Sequence, residues 1–381
     1  MAAALAKSHG LTPGVIGFVV GIMFLSSALV QVPFGLMLDK YGTRNMIVGL
    51  SSIAILGMII FGLAETSIGL IVGRTLIGIG HGASITGVYL LALAWARPER
   101  VASVAAMTIA IAGALGGLLG TTPLAMSIQY FGFTDTFLML ASISFVSSIL
   151  IWFFVQDVPL GVTSTKNEES IKTALYGLLE VIKDKNLRPI FAMALCFSVP
   201  FATIGGLWAG PFLRDIHGLD PSTAGSVIFM MVLCVNLGTY FYGPMDRIFN
   251  TRKWVVLSGV SIMIISLIVL VAFPTAHILF IVSLLAVFSL ASPIFVTLAG
   301  HCRAYVPEHR AGRALTFVNF LGVGFIFIMQ AFTGWLVEVS SIYELSILSG
   351  YRLVFGIVII SLSISAFLYL FSRDVRPFPK T

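Results

Sequence analysis

The sequence has little charge. Asp, Glu, Lys and Arg make up 10% of its 381 residues, whereas a soluble globular protein carries about 25%. Hydrophobic residues reach 58%, the mean hydropathy is +1.03, and long apolar runs recur along the chain. A run of about 20 apolar residues is long enough to cross a bilayer as a helix. The alternating runs of about ten residues that are typical of a transmembrane β-barrel are absent. These features predict an all-α polytopic membrane protein.

Residues that could carry catalysis or bind a metal are also scarce. The three cysteines, Cys196, Cys234 and Cys302, lie in or near apolar runs and lack the spacing of a metal site. The sequence has no Gly-x-x-x-x-Gly-Lys-Ser/Thr loop for ATP and no recognisable nucleophile–base pair. We therefore expect no cofactor, no metal site and no enzyme activity. The net charge of +6 could suit nucleic acid, but the charges lie between apolar runs, so we expect the lipid bilayer as a partner and no nucleic acid.

Eleven apolar runs define the predicted spans. The polar stretch 157–188 separates the first five from the last six, which predicts an N-terminal bundle (1–156), a cytoplasmic linker (157–188) and a C-terminal bundle (189–381). Apolar residues on one face at 171–182 indicate an amphipathic helix in the linker. The runs are 15–37, 46–64, 68–94, 102–126, 137–156, 189–212, 223–245, 254–273, 277–300, 314–338 and 352–372.

The positions of Lys and Arg predict the orientation. If alternate loops are cytoplasmic, 18 of the 22 basic residues fall on that side, including Lys40, Arg44 and the residues after the last run. This bias follows the positive-inside rule and places the C-terminus in the cytoplasm, in a plasma (inner) membrane. His301 and the arginines between Arg303 and Arg313 are interpreted as part of one of these cytoplasmic basic loops.

Helical transporters are often built from repeats, which favours an even number of spans. The first half has one span fewer than the second. The symmetry therefore predicts twelve spans, with one missing before residue 15 through a late start site or truncation.

A charged turn follows the first run and returns in the second half. The first copy contains Gly35, Asp39, Lys40, Gly42 and Arg44; the second contains Asp246, Arg247 and Arg252, with Asn250 in place of the glycine. This pattern of Gly, Asp, basic, Gly and basic residues resembles the signature loop of the major facilitator superfamily. The resemblance covers the whole chain except for that family's first helix.

The resemblance implies two pseudo-symmetric bundles that alternate the access of a solute between them. It also implies that Asp39 accepts hydrogen bonds from the N-terminus of a helix in the other half, beside Arg310 and Arg313, and so holds the outward-facing state. We expect Asp246, Arg247 and Arg252 to serve the same gating, and we expect a monomer. The alternative is an ordinary capped turn on the cytoplasmic side.

Arg74 lies inside an apolar run, where a charged side chain is costly. His81 follows seven residues later and so shares its helical face. The segment that begins at Arg74 resembles the family's fourth-helix motif, in which a basic residue faces the cavity. Other polar or aromatic residues at membrane depth are predicted to line that cavity, with hydrogen bonding between helices as the alternative: Gln31, Trp208, Asn236, Asn319 and Gln330.

Arg74 is the one deep cation, and we expect no acidic side chain to accompany it within the spans. The sequence therefore favours transport of a small polar or anionic solute, with protons as a candidate coupling ion through His81 or an acid on the missing helix. The 30 phenylalanines leave efflux of amphipathic compounds open. The missing helix leaves open a non-transporting member of the family.

Overall fold

The computed structural model describes residues 5, 10–82, 84–97, 100–157 and 179–378. Every long regular element in these ranges is a helix, which confirms the all-α prediction. In chain order they are α1 (Pro13–Tyr41), α2 (Thr43–Leu63), α3 (Ser67–His81), α4 (Ser84–Trp95), α5 (Val101–Leu119), α6 (Thr122–Phe131), α7 (Phe133–Phe154), α8 (Arg188–Ala194), α9 (Val199–Thr203), α10 (Ala209–His217), α11 (Pro221–Ile248), α12 (Lys253–Ala272), α13 (Ile278–Ala291), α14 (Phe295–Arg303), α15 (Glu308–Ile342) and α16 (Ile347–Tyr369).

By length and composition, ten helical stretches in the described ranges could cross a membrane, or eleven if a bent pair counts as one span. The bent pair joins α5 to α6 at 42°, where the run predicted at 102–126 lies. Gly120 and the proline at the start of α6 explain the bend, because proline suits the first turn of a helix but not its interior.

Two compact units divide the chain. One consists of Met1–Phe18 with Tyr176–Thr381 and the other of Val19–Leu175, so the boundary falls inside α1. The predicted domain limits at 156 and 189 remain predictions. Of the amphipathic helix predicted at 171–182, only 179–182 are described, as part of a helical segment at 179–183; the rest of that prediction lies outside the described residues.

In the unit Val19–Leu175, α2 packs along both α3 and α7. A Cβ at Gly73 would lie 2.7 Å from the Phe61 backbone nitrogen, so this glycine allows the two helices to meet closely. Phe61 is fully buried, and its ring lies 4.7 Å from that of Phe137 on α7. Phe61 therefore joins the three helices, through a close glycine contact with α3 and ring packing with α7.

In the other unit, the predicted run 189–212 is a broken helix rather than a continuous one. α8 ends at Ala194, α9 begins at Val199, and a π-helical turn (Ile204–Trp208) leads into α10. Pro200 lies at the first positions of α9 and explains why the helix restarts there. Breaks and π-turns of this kind are frequent where spanning helices line a functional site.

Candidate functional site

The first signature loop is shorter than the sequence indicates. We expected a break at 35–44, but α1 remains helical to Tyr41 and α2 begins at Thr43, so the prediction of a longer break is wrong. Gly42 alone forms the turn, with φ at +88°. Glycine adopts this conformation without a steric cost, and neither Pro33 nor Gly35 ends the helix.

A carboxylate from the end of the same unit closes this turn. Asp157, which follows α7, accepts a hydrogen bond from the Arg44 backbone N–H at 2.6 Å. A Cβ at Gly42 would collide with that carboxylate. The Arg44 guanidinium lies 5.0 Å from the centre of the Trp152 ring. The side chains of Gly35, Asp39 and Lys40 are outside the described part of the structure, and so the gating role predicted for them remains a prediction.

The second signature loop repeats this geometry. Asn250 has φ at +48° where Gly42 stands in the first copy, which Asn tolerates better than most residues. Asp374 accepts hydrogen bonds from the Thr251 hydroxyl at 2.6 Å and from the Arg252 and Lys253 backbone N–H groups at 3.1 Å each. An aspartate after the last described helix of each unit thus caps the helix that follows the signature loop.

Sequence reasoning missed Asp157 and Asp374. A comparison of the chain with itself could have found them, because both lie in the pattern Phe-x-x-Asp-Val after a span. Burial would raise the pKa of Asp374, but the hydrogen bonds from Thr251 and from the two amides outweigh it and lower the pKa below its ordinary value. The carboxylate is therefore held in its charged form.

The charged residues of the second loop pair with each other. Arg252 Nε lies 3.2 Å from Asp246 Oδ2, with the two side chains 19% and 16% exposed, and Arg252 Nη1 donates to the Val375 carbonyl at 3.2 Å. Arg247 is exposed. The second loop is therefore braced inside its own unit.

The structure places His301 in a helix, whereas the sequence predicted a loop; the cytoplasmic side of this segment stays a prediction. His301 is fully buried in α14, and its ring nitrogens lie 2.6 Å from the Tyr369 hydroxyl and 3.0 Å from the Arg373 carbonyl. His301 therefore anchors the segment that carries Asp374.

Arg74 is buried in α3, with 6% of its surface exposed. Its guanidinium lies 5.1 Å from the centre of the Phe61 ring, and Nη1 lies 3.4 Å from the sulfur of Met23. An aromatic face and a thioether attract a cation more weakly than a carboxylate does. Arg74 therefore packs against an aromatic ring and a thioether of its own unit.

His81 and Gln31 differ from Arg74 in their environment. His81 is exposed at the end of α3, and its Nδ1 lies 2.8 Å from the Ile77 carbonyl of the same helix. Gln31 is half-buried on α1. A shared helical face therefore does not give Arg74 and His81 the same burial.

In the other unit the structure links Trp208 to Gln330. Trp208 Nε1 donates to the Thr333 hydroxyl at 2.9 Å, and that hydroxyl lies 3.2 Å from the Gln330 carbonyl. Gln330 Nε2 donates to the Ala202 carbonyl at 2.9 Å, while its Oε1 has no partner among the described residues although the side chain is 1% exposed. This buried polar cluster lies where α15 meets the π-turn.

The two asparagines lie outside this cluster. Asn236 Nδ2 donates to the Val232 carbonyl of its own helix at 2.9 Å, and Asn319 is half-buried on α15. Both positions are compatible with packing between helices as well as with a cavity.

The expectation that no acidic side chain lies within the spans is wrong. Glu338 is inside α15, in a stretch that could cross the membrane (Ala311–Ile342). Its Oε2 accepts hydrogen bonds from the Thr12 hydroxyl and the Gly14 backbone N–H, both at 3.1 Å. A helix N-terminus satisfies the charge, so this acid needs no neighbouring cation.

Comparisons with known proteins agree with this architecture. The family model described as Major Facilitator Superfamily matches residues 1–322 and 190–381. An uncharacterized transporter, BU466, of Buchnera aphidicola subsp. Acyrthosiphon pisum (strain APS) is 31% identical over 140 residues, which are 37% of this chain and 35% of that protein. The probable sulfoacetate transporter SauU of Cupriavidus necator (strain ATCC 17699 / DSM 428 / KCTC 22496 / NCIMB 10442 / H16 / Stanier 337) is 25% identical over 155 residues, 41% of this chain and 36% of that protein.

A solved structure shows the same fold over most of the chain. It is a bacterial homologue of the human lysosomal transporter Spinster, in an inward-facing and occupied conformation. The TM-score is 0.74 at 17% identity, and the match covers 96% of this chain and 90% of that one. The two sequence relatives match over only about a third of their own length. On the family match and the shared fold, the chain belongs to the Major Facilitator Superfamily, whose members are transporters, and it is a multi-pass membrane protein rather than an enzyme.

Proposed function

We propose that this chain is a secondary transporter that moves a small polar or anionic solute by rocker-switch alternating access, with the proton gradient as its driving force. It works as a monomer in the plasma (inner) membrane, with its C-terminus in the cytoplasm. The observation that carries the choice of solute is Arg74, a buried cation held by Phe61 and Met23.

The argument from Arg74 is energetic. A guanidinium at membrane depth costs at least about 2.5–3.5 kcal/mol on insertion scales, and residues that are retained at such a cost generally serve function. A guanidinium binds carboxylate, sulfonate and phosphate groups through charge-assisted, often bidentate hydrogen bonds, so a buried arginine favours an anionic group on a solute.

The sequence relative SauU is described as a probable sulfoacetate transporter, and sulfoacetate is a small organic anion. This likeness supports the same class of solute here and supplies a first probe.

The aspartate-capped loops support the proposed motion. Asp157 ties the first signature loop to the end of its own unit, and Asp374 does the same for the second. Each bundle is therefore braced internally near its signature loop. Such bracing favours movement of the bundles as rigid bodies, which a rocker switch requires.

The test is uptake of labelled sulfoacetate and other small organic anions into proteoliposomes, with and without an inward proton gradient. We expect Arg74→Ala to weaken uptake by about tenfold to a hundredfold, the equivalent of a lost charged hydrogen bond. Arg74→Lys keeps the charge and should retain part of the activity. Arg352→Ala removes an arginine that lies on α16 and bonds to the Val271 carbonyl; it is the matched control.

Unchanged anion uptake in a folded Arg74→Ala protein would remove the anion argument. Drug sensitivity of a strain that lacks the gene, without anion uptake, would favour efflux of amphipathic compounds. No uptake or efflux of any probe by the wild-type protein would favour a non-transporting role.

A further inference from the structure

Two spans begin with the same short pattern. Leu11-Thr12-Pro13 precedes Gly17 in the first half, and Leu219-Asp220-Pro221 precedes Gly225 in the second, with three residues between the proline and the glycine in both. The proline starts α1 in one case and α11 in the other. The pattern therefore places Thr12 and Asp220 at equivalent helix starts.

At the second start, the helix caps itself. Asp220 Oδ1 accepts hydrogen bonds from the backbone N–H groups of Ser222 at 2.9 Å and Thr223 at 3.2 Å. The cap lies on the helix that it stabilises, so no movement of another helix can break it.

At the first start, a carboxylate from elsewhere in the chain takes this role. Thr12 replaces the aspartate, and Gly14, which is equivalent to Ser222, donates its N–H to Glu338 on α15 at 3.1 Å. The Thr12 hydroxyl donates to the same oxygen at 3.1 Å and accepts a longer hydrogen bond, at 3.5 Å, from the Val15 backbone N–H. The bond from Gly14 to Glu338 therefore exists only while α1 and α15 stay together, whereas the longer bond from Val15 to Thr12 is local to the start of α1.

The helices meet closely beside this cap. A Cβ at Gly334 would lie 2.5 Å from the Pro13 carbonyl oxygen, and one at Gly17 would collide with the Gln330 carbonyl. The rings of Phe18 and Phe327 pack edge to face at 5.2 Å. The glycines thus allow van der Waals contact between α1 and α15. The Glu338 carboxylate adds a directional hydrogen bond between the two helices.

The described hydrogen bonds of the Glu338 carboxylate come from the start of α1, and not from a neighbouring charged side chain. Among the described residues, no Lys, Arg or His nitrogen lies within 4.0 Å of its carboxylate. At this end of the unit, Asp215 accepts from the Tyr351 hydroxyl and lies 4.0 Å from Arg214, and Arg352 donates to a backbone carbonyl. Protonation of Glu338 would remove the charge that the α1 start attracts.

We propose that Glu338 is a proton-binding residue whose carboxylate holds the start of α1 against α15 and whose protonation releases it. Its use as the coupling step of transport rests on the proposed function. Proton binding by Glu338 and the release of α1 do not rest on the proposed function, because both depend only on the contact between α1 and α15.

The test is hydrogen–deuterium exchange of the protein in lipid nanodiscs, read on the segment 10–20 and compared with 220–230 in the same sample. Glu338→Gln imitates the protonated acid, and we expect the amides of 10–20 to exchange about threefold to thirtyfold faster, as for a lost helix cap. Segment 220–230 should not change, because Asp220 is intact. Wild-type protein should show the same release on acidification, after correction for intrinsic exchange, and Glu338→Gln should show none.

A rescue separates loss of the cap from misfolding. The double variant Thr12→Asp with Glu338→Gln gives α1 its own carboxylate, as Asp220 gives α11, and should restore protection of 10–20 at neutral pH. Glu344→Gln changes an exposed acid beyond the end of α15 and should leave exchange unaltered. Three results would each overturn the proposal. The first is an exchange rate at 10–20 in Glu338→Gln equal to that of the wild type, and the second is an acid response in that variant equal to the wild-type response. The third is an acceleration at 220–230 equal to that at 10–20. The measurement needs no solute, so it stands even if no anion is transported.

Discussion

Removal of the Asp374 carboxylate is the sharpest test of the capped signature loops. Asp374→Ala removes the acceptor of three hydrogen bonds, two of them from backbone amides at the start of α12. Loss of a helix N-cap costs about 0.5–2 kcal/mol. Hydrogen bonds to a charged group are worth about 1.5–3 kcal/mol each, but this group is half-exposed and the freed amides gain water, so we expect about 2 kcal/mol in all.

A loss of this size is measurable as a thermal shift. For a unit of about 200 residues, 1 kcal/mol corresponds to roughly 2–4 °C, so Asp374→Ala should unfold about 4–8 °C below the wild type in a fluorimetric melt in detergent. Asp157 accepts one described hydrogen bond, and Asp157→Ala should therefore lower the melting temperature by about half as much. Glu65→Ala, at an exposed turn, is the control and should change it by less than about 0.5 kcal/mol equivalent.

The order of the three melting temperatures decides the test. If Asp157→Ala destabilised the protein more than Asp374→Ala, or if neither differed from Glu65→Ala, the carboxylates would not be the caps that the geometry indicates.

Three further predictions follow from the same contacts. Because the native pKa of Asp374 lies below its ordinary value of 3.8, its contribution is present above about pH 4 and is lost as the pH falls through the lowered pKa; melts across this range should show the loss in wild type and not in Asp374→Ala. Arg252→Met breaks the pair with Asp246 and should cost about 1–3 kcal/mol, whereas Arg247→Met, at an exposed position, should be nearly neutral; equal melting temperatures for the two variants would contradict the pairing. Gly259→Ala would press a methyl group onto a buried tyrosine hydroxyl of α11, and we expect a loss of about 1–3 kcal/mol from overpacking, measured in the same melt; an unchanged melting temperature would show that the contact yields.

The candidate site was only partly predictable. Arg74, Trp208 and Gln330 stand out in the sequence because polar or amphipathic side chains are conspicuous in apolar runs. Their partners are not conspicuous, because Phe61 and Thr333 are ordinary residues for a spanning helix. The helical period correctly places Arg74 and His81 on one face, yet it gives no information on how far along that face the neighbouring helix extends, and so their burial differs.

The sequence by itself determined that the chain crosses a membrane, about how many times, and that its two halves are related. Each of these depends on the length, order and repetition of apolar runs, which are properties along one dimension. Only the tertiary structure decided which carboxylates cap the helix starts. Asp157, Asp374 and Glu338 accept hydrogen bonds from amides that lie 113, 122 and 324 residues away in the sequence. A helix start offers free N–H groups to any carboxylate that the fold brings within about 3 Å, and that proximity is a property of packing in three dimensions.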